Sequence, residues 1–194
     1  MENKIKAKTY GVQVMMNEHD SILEFLKAVR KACVGVMNGN EPDEADFYGF
    51  IDFARNYSDK HHHGKEEKFL FNQMVKYLGE AGKTLVQNGM LVEHDLCRSH
   101  ILDLEMALKA YKENPCDEFR LDIIEAAAGY ANLLSRHIEK ENSIVYTFAE
   151  RVLKEDVLNV VDSQVRGFEE NIDNSMKSAE LLEKLKLWKE KYLR

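Results

Sequence analysis

The chain has few of the residues that interrupt helices or form tight turns, since only two of its 194 residues are proline and ten are glycine. A β-sandwich or β-barrel needs turn residues every ten or so positions, so this scarcity argues against both architectures. The hydrophobic fraction of 44% and the charged fraction of 31% are typical of a folded globular chain. The composition favours a single domain, or one with a small appendage, that buries a core of its own.

Cysteine and long apolar runs are also scarce. The three cysteines, Cys33, Cys97 and Cys116, form neither a CxxC motif nor a disulfide framework, a pattern that suits a reducing cytoplasm. No apolar run approaches the ~20 residues that a bilayer requires, and the N-terminal stretch lacks the apolar segment of a signal peptide. With 34 acidic against 27 basic residues and a net charge of -7, nucleic acid is disfavoured as a partner. We expect a cytoplasmic protein that binds neither membrane nor nucleic acid.

Several catalytic signatures are missing as well. There is no HExxH motif, which excludes zinc metalloproteases of that type, and no glycine-rich phosphate-binding loop. No histidine has a glutamate three residues before it, so the Glu-x-x-His pattern of ferritin-like di-iron bundles is absent. What the chain does contain is seven histidines, three of them consecutive.

Helical periodicity runs through nearly the whole chain. Breaks with turn chemistry at 38–42, 79–83 and 114–117 divide it into four long segments, approximately 11–38, 43–78, 84–113 and 117–153. Short connections make neighbouring helices antiparallel. We predict an all-α fold in which residues 1–154 form an up-down-up-down four-helix bundle and residues 155–194 form a C-terminal extension of two helices, about 155–170 and 175–193.

The second segment is apolar around nearly its whole circumference, so we expect it to be covered on more than one side. The C-terminal helices, packing on the bundle, would provide this cover, and so would a second copy of the chain in a homodimer.

A histidine and a glutamate interrupt the apolar stripe of the fourth segment. At 100° per residue, the stripe centred on His137 continues through Glu141, Ile144, Phe148 and Val152. His19 and His94 occupy equivalent places in the apolar stripes of the first and third segments, whereas His100 points away. Each segment therefore directs one histidine at the predicted core.

Two segments place a glutamate four residues after a histidine: His137 with Glu141, and His62 or His63 with Glu66 or Glu67. This spacing puts both side chains on one helical face, one turn apart. Isolated buried carboxylates become neutral, but two divalent ions would stabilise two bridging carboxylates, with four neutral imidazoles completing the coordination. Histidine and carboxylate ligands without cysteine suit non-haem iron, with manganese or zinc as alternatives.

At these residues the sequence resembles the hemerythrin-like (HHE cation-binding) family. The similar motifs, spread over about residues 10–153, are Glu18-His19-Asp20, His62-His63-Gly64-Lys65-Glu66-Glu67, Glu93-His94-Asp95 and His137-Ile138-Glu139-Lys140-Glu141-Asn142. Phe168-Glu169-Glu170 looks like a tail found in longer members. The resemblance implies two iron ions bridged by oxo and carboxylate groups. It implies as ligands His19, His62, Glu66, His94, His137 and Glu141, with His62 rather than His63 paired with Glu66.

Two departures separate the chain from the oxygen-carrying members. Those proteins have His-x-x-x-His on the third helix, where this chain has Arg98, and their last carboxylate is an aspartate five residues after the histidine, where this chain has Glu141 at four. Four histidines and two glutamates remain, which implies two histidines for each ion and open positions on both. Arg98 lies either behind the ligands or in an outward salt bridge.

The other polar residues near these motifs receive more ordinary interpretations. We expect His61, His63 and Glu67 to be solvated or to lie behind the ligands, and His100 to be a surface residue. Tyr130, two turns before His137, is interpreted as a packed core tyrosine rather than as a phenol at the site.

The resemblance supports two functional hypotheses. The first is a di-iron protein that binds or responds to O₂, NO or peroxide, for sensing, scavenging or storage, with an unidentified redox partner. The second is a di-iron enzyme that acts on peroxide or repairs iron-sulfur clusters; the repair branch often carries an N-terminal cysteine-bearing domain, of which this sequence has no sign. A third hypothesis is a helical bundle with incidental histidines or a single zinc ion.

Overall fold

Six long helices make up almost all of residues 7–194, which are the residues that the computed structural model describes. They are α1 (Tyr10–Met37), α2 (44–77), α3 (79–113), α4 (117–152), α5 (Glu155–Glu170) and α6 (Ile172–Tyr192). This range contains no strand, so the predicted all-α bundle with two further C-terminal helices is confirmed. Within the same range, no helix combines the length and the apolar character that a membrane span needs.

Polar side chains define where two of the helices begin. At the start of α2, Asp43 Oδ1 accepts a hydrogen bond from the backbone N–H of Asp46 at 3.1 Å. At the start of α6, Asn171 Oδ1 accepts hydrogen bonds from the backbone N–H groups of Asp173 and Asn174. Both are N-caps that satisfy backbone donors which the helix itself leaves free.

The turn between α2 and α3 is tighter than the sequence predicts. Leu78 alone separates the two helices, and Gly79, the first residue of α3, has a φ of 59°, a conformation that other L-residues rarely adopt. Gly82 is already helical, and a Cβ atom there would lie 2.5 Å from the carbonyl oxygen of Met74. The small residues permit a close helix approach instead of a five-residue loop, so α3 begins at Gly79 rather than near residue 84.

Helices α2, α3 and α4 contain π-helical segments close to the candidate ligands: Ala54–His63, Glu66–Phe71, Val86–Met90 and Glu141–Val145. A π turn adds a residue to the α-helical repeat, so it displaces the buried face beyond it. After Glu141, each apolar position of the predicted stripe gives way to the next residue: Val145, Ala149 and Leu153 are buried in place of Ile144, Phe148 and Val152.

The bundle has two apolar cores, one on each side of a polar layer. One core includes Ile22 of α1, Tyr57 of α2, Cys97 of α3 and Leu134 of α4. The other includes Met15 of α1, Leu70 of α2, Met90 of α3 and Val145 of α4. On each bundle helix, the candidate ligands lie where the residues of one core give way to those of the other.

The two C-terminal helices pack on the bundle. Helix α6 contacts α1 and α2, and α5 contacts α1 and the second π segment of α2. Trp188 Nε1 donates a hydrogen bond to Asp46 Oδ1 at 3.0 Å, and a Cβ atom at Gly49 would lie 2.7 Å from the Trp188 ring. These contacts cover part of the apolar surface of α2 within one chain. The domain boundary expected at residue 154 stays a prediction.

Candidate metal centre

Five histidines and two glutamates from the four bundle helices meet in the polar layer, and each has an exposed fraction of 1% or less. They form two groups, in each of which one ligand atom per residue lies within 4.8 Å of every other. The two-histidine group consists of His19, His62, Glu66 and Glu141. The three-histidine group consists of His63, His94, His137 and Glu66. Each group is compact enough to surround one ion.

The two glutamates lie between the groups. Each carboxylate approaches the Nε2 atom of one histidine from each group, at distances of 3.2 Å (Glu141–His19), 3.0 Å (Glu141–His137), 3.7 Å (Glu66–His62) and 3.6 Å (Glu66–His94). Glu141 presents Oε2 to His19 and Oε1 to His137, with His94 Nε2 3.9 Å from the same Oε1 atom. Glu66 presents Oε2 to both of its histidines. The two carboxylates thus lie where a bridge between two ions would have to lie.

Many polar atoms of the layer lack a hydrogen-bond partner among residues 7–194. They include Nε2 of three histidines and three carboxylate oxygens: His19, His62 and His63 Nε2, Glu66 Oε2, and both oxygens of Glu141. Buried polar atoms are nearly always paired, and leaving them unpaired costs free energy. Their concentration at one point is what a site for cations requires.

The facing imidazoles of His94 and His137 fit a metal in particular. Their Nδ1 atoms lie 2.8 Å from carboxylate oxygens of Glu67 and Glu93. Ionised carboxylates only accept hydrogen bonds, so each ring carries a proton on Nδ1, and in the neutral form of each ring Nε2 carries a lone pair. Those two Nε2 atoms lie 3.0 Å apart, about the separation of two nitrogen ligands at right angles around an ion at about 2.1 Å. A metal cation between the two neutral rings would be bound by both Nε2 atoms.

Acceptors behind the ligands fix the orientation of the rings. Four histidines each place Nδ1 2.8 Å from a side-chain oxygen: His62 with Glu18, His94 with Glu67, His137 with Glu93 and His19 with Asn142. The three glutamates, hereafter the outer carboxylates, each contact a cation in turn, namely Lys65, Arg98 and Lys140 respectively. Such partners select the tautomer that leaves Nε2 free for a metal and increase the basicity of the ligand.

Burial and neighbouring charges shift the pKa values of the two glutamates in opposite directions. Burial raises the pKa of Glu66 well above its usual range, and the charge of Glu141 raises it further. Burial also raises the pKa of Glu141, but its close contacts with histidines, above all with His137, outweigh this effect and hold its pKa well below the usual range. Burial lowers the pKa of His62 to about 4 and also lowers that of His63. These two imidazoles are therefore neutral at pH 7, the form that binds metals.

The sequence that forms this layer matches the model of a known domain. The model of the hemerythrin HHE cation-binding domain matches residues 10–149. The chain belongs to the hemerythrin HHE cation-binding family. This hemerythrin-like domain binds metal cations, and both ligand groups fall within it, whereas α5 and α6 lie beyond the match. A search of curated proteins gave no match to the chain.

All six predicted ligands lie in the hemerythrin-type layer, although their assignment as ligands stays a prediction. They are His19, His62, Glu66, His94, His137 and Glu141. His63 is not solvated, which was one of the two expectations for it. It is 1% exposed, and its ring stacks on His94 with centroids 3.8 Å apart. The layer thus has five histidines, divided two and three rather than two and two.

Three other residues lie behind the ligands. His61 is buried and contacts Glu18 at 3.1 Å, and Glu67 accepts the hydrogen bond from His94. Arg98 combines both roles considered for it, since it donates to Glu67 and also to Asp59 from a side chain that is 40% exposed.

The tyrosine that reaches the layer is Tyr146 rather than Tyr130. Tyr130 is buried in the core beside Phe25, with ring centroids 6.5 Å apart, as expected. Tyr146 donates a hydrogen bond to Glu66 Oε1 and stacks on His19 at a centroid distance of 5.5 Å. No spacing rule indicated Tyr146, because at α-helical geometry it lies about 140° from Glu141; the intervening π turn brings it to the layer.

A small pocket adjoins the three-histidine group. Its volume is about 160 Å³, with His63, Cys97, Ile101 and Tyr130 among its buried lining residues and Arg98 among the exposed ones. At about 30 Å³ per water molecule, it has room for about five. A larger groove of about 410 Å³ lies between α3 and α4, but among the ligands of the layer none lines it.

Proposed function

We propose that this hemerythrin-family protein holds two iron ions bridged by Glu66 and Glu141 and binds or responds to O₂, NO or peroxide, in sensing, scavenging or storage. The observation that carries the proposal is the pair of ligand groups on either side of two shared carboxylates. One ion would satisfy only one group and would leave the buried lone pairs of the other without a partner.

The donor set favours iron. Both groups contain only imidazole and carboxylate donors. This combination suits non-haem iron, whereas many structural zinc sites contain thiolates. Cys97 lines the neighbouring pocket, but burial raises its pKa to about 12, so its thiol stays protonated. Bound iron would supply reversible redox chemistry and coordination positions for a small ligand.

The residues of the chain itself keep the layer rigid and shielded. The two apolar cores exclude water from both sides, and the outer carboxylates hold the imidazole rings. Tyr146 donates a hydrogen bond to Glu66 Oε1, while Glu66 Oε2 faces His62 and His94. A centre held in this way needs little rearrangement when a ligand arrives.

The size of the pocket beside His63 supports the proposal that the ligand is small. A volume of about 160 Å³ is below the approximately 300 Å³ at which pockets for ordinary organic ligands begin. Replacing Ala54, which lines this pocket, with Leu should slow NO binding to the reduced protein in stopped-flow measurements. The matched variant Ala110→Leu, in the groove between α3 and α4, should leave the rate unchanged. Equal rates in both variants would contradict entry through this pocket.

Metal quantification tests the proposal directly. Protein purified anaerobically with iron should contain about two iron ions per chain and should develop an oxo-bridge absorption on exposure to O₂. One zinc ion per chain, or no metal, would contradict the proposal. The variant His100→Ala is the matched control, since it removes a histidine outside both groups, and it should retain all of the iron.

Peroxide kinetics separate binding from catalysis. A stable, reversible oxygen adduct of the reduced protein would support the binding role. Rapid catalytic consumption of peroxide would support the alternative, a di-iron enzyme that acts on peroxide. As part of the proposal we place the protein in the cytoplasm, because its three cysteines are all free thiols.

A further inference from the structure

Lys65 is a lysine with no exposed surface, one residue before the shared ligand Glu66. Its Nζ atom lies 2.5 Å from Glu169 Oε1 and 3.1 Å from His61 Nε2, and it also donates to Glu18 Oε1. A buried ammonium is tolerated only where opposite charges and hydrogen bonds compensate it. The two glutamates supply that compensation from different helices.

This cluster already contains its cation. Glu18, His61 and Glu169 together have three ligand atoms close enough to hold a metal ion. The ammonium of Lys65 lies within hydrogen-bond distance of all three residues, so a metal would have to displace a buried lysine. The cluster is also connected to the metal layer.

Glu18 makes that connection. Its Oε2 atom accepts the hydrogen bond from His62 Nδ1 at 2.8 Å, while its Oε1 atom contacts Lys65. One carboxylate charge is thus shared between an imidazole of the two-histidine group and the buried ammonium. A stronger pull from Lys65 on Glu18 weakens the hydrogen bond that Glu18 accepts from His62.

Helix α5 closes the cluster. The Phe168 ring centroid lies 5.3 Å from Lys65 Nζ and 5.3 Å from the ring of His61. Glu169, the next residue, balances the pull of Lys65 on Glu18. Both residues lie beyond the part of the chain that matches the hemerythrin domain, so the C-terminal helix contributes to the surroundings of a metal ligand from outside that domain.

We propose that Phe168 and Glu169 are positioning residues of the metal centre, which hold Lys65 in place. The position of Lys65 sets the strength of the hydrogen bond that Glu18 accepts from His62, and this bond sets how much electron density His62 donates to the metal. This proposal rests on the iron centre proposed above and goes beyond it, because it assigns a role to α5.

Reduction potentials of the iron-loaded full-length protein test the proposal. In Glu169→Gln, Lys65 interacts more strongly with Glu18, so the hydrogen bond from His62 to Glu18 weakens. His62 then donates less electron density to the metal, and the reduction potential should rise. In Lys65→Met, Glu18 is released toward His62, and the potential should fall. We expect each change to alter the ratio of oxidised to reduced centre by about tenfold at fixed potential, equivalent to about 59 mV for one electron.

Matched variants separate this role from a merely structural one. Glu170→Gln changes the exposed neighbour of Glu169 and should leave the potential unchanged, and Glu169→Asp, which keeps the charge, should return it toward the wild-type value. If Lys65→Met does not fold, the three variants at 169 and 170 still decide the question.

The two proposals fail in different ways. Loss of structure alone would move Glu169→Gln and Lys65→Met in the same direction, and that result, or unshifted potentials in an iron-loaded protein, would overturn the role of α5. Wild-type protein without iron would instead overturn the proposed function. In that case, equal unfolding midpoints for metal-free Glu169→Gln and Glu170→Gln would also show that Glu169 does not stabilise Lys65.

Discussion

The two ligand groups share their carboxylates but differ in their surroundings. The two-histidine group is enclosed: Tyr146 stacks on His19, and the cation behind its outer carboxylate is the fully buried Lys65. The three-histidine group lies near the surface, where Arg98 and Lys140 have side chains that are 40% and 39% exposed, and the small pocket adjoins it. In the proposed metal centre, the two-histidine group would therefore be the rigid half and the three-histidine group the half that a ligand reaches.

Metal removal should have the largest effect, because both halves lose the charge that stabilises Glu66 and Glu141. Two ions, each present at 1,000 times its dissociation constant, stabilise the fold by about 8 kcal/mol, and a chain of this size shifts its Tm by about 2–4 °C per kcal/mol. We expect the chelated protein to unfold roughly 16–32 °C below the iron-loaded protein in calorimetry. Identical melting temperatures would show that the layer is not a metal site.

Single histidine variants should distinguish the halves. His62→Ala leaves the two-histidine group with one imidazole, so iron content should fall toward about one ion per chain. His63→Ala leaves His94 and His137 in place, so the protein should retain about two ions with an affinity reduced by about 10- to 100-fold. Metal quantification after dialysis against a weak chelator checks both, with His100→Ala as the control. Equal iron losses from the two variants would remove the distinction.

The sequence predicted the ligands that obey α-helical geometry. Residues such as His137 and Glu141, four positions apart on an apolar stripe, had to share a face, and the similarity to hemerythrins fixed His62 with Glu66. The order and approximate length of the helices followed from the breaks between apolar periodicities, except at Gly79.

His63 could not be predicted in the same way. Adjacent residues of an α-helix point about 100° apart, so only one of His62 and His63 was expected to face inward. The π segment Ala54–His63 changes this local geometry, and both rings enter the layer. Backbone hydrogen-bond shifts of this kind depend on tertiary packing and leave no pattern in side-chain type. The same cause hid Tyr146, which follows the π turn of α4.

Tyr146→Phe tests the enclosed two-histidine group by removing only the tyrosine hydroxyl group. Its hydroxyl group donates to Glu66 Oε1, and losing a hydrogen bond to a buried charged group costs about 1.5–3 kcal/mol. We expect iron binding to weaken by at least about tenfold, measured by competition with a chelator of known affinity. Tyr130→Phe, at a buried tyrosine outside both groups, should leave the affinity unchanged. An equal loss in the two variants would mean that general packing, not the bond to Glu66, explains the effect.

The smallest effect should come from the exposed counterpart of Lys65. Lys140 pairs with Glu93 as Lys65 pairs with Glu18, but solvent and salt screen a half-exposed pair. Lys140→Ala should therefore lower the free energy of unfolding by only about 0–1 kcal/mol, and the difference from the wild type should shrink in 1 M salt. Urea unfolding at low and high salt measures this, with Lys65→Met in parallel. If Lys140→Ala costs as much as Lys65→Met, burial does not distinguish the two halves, and the outer carboxylates act alike despite their different surroundings.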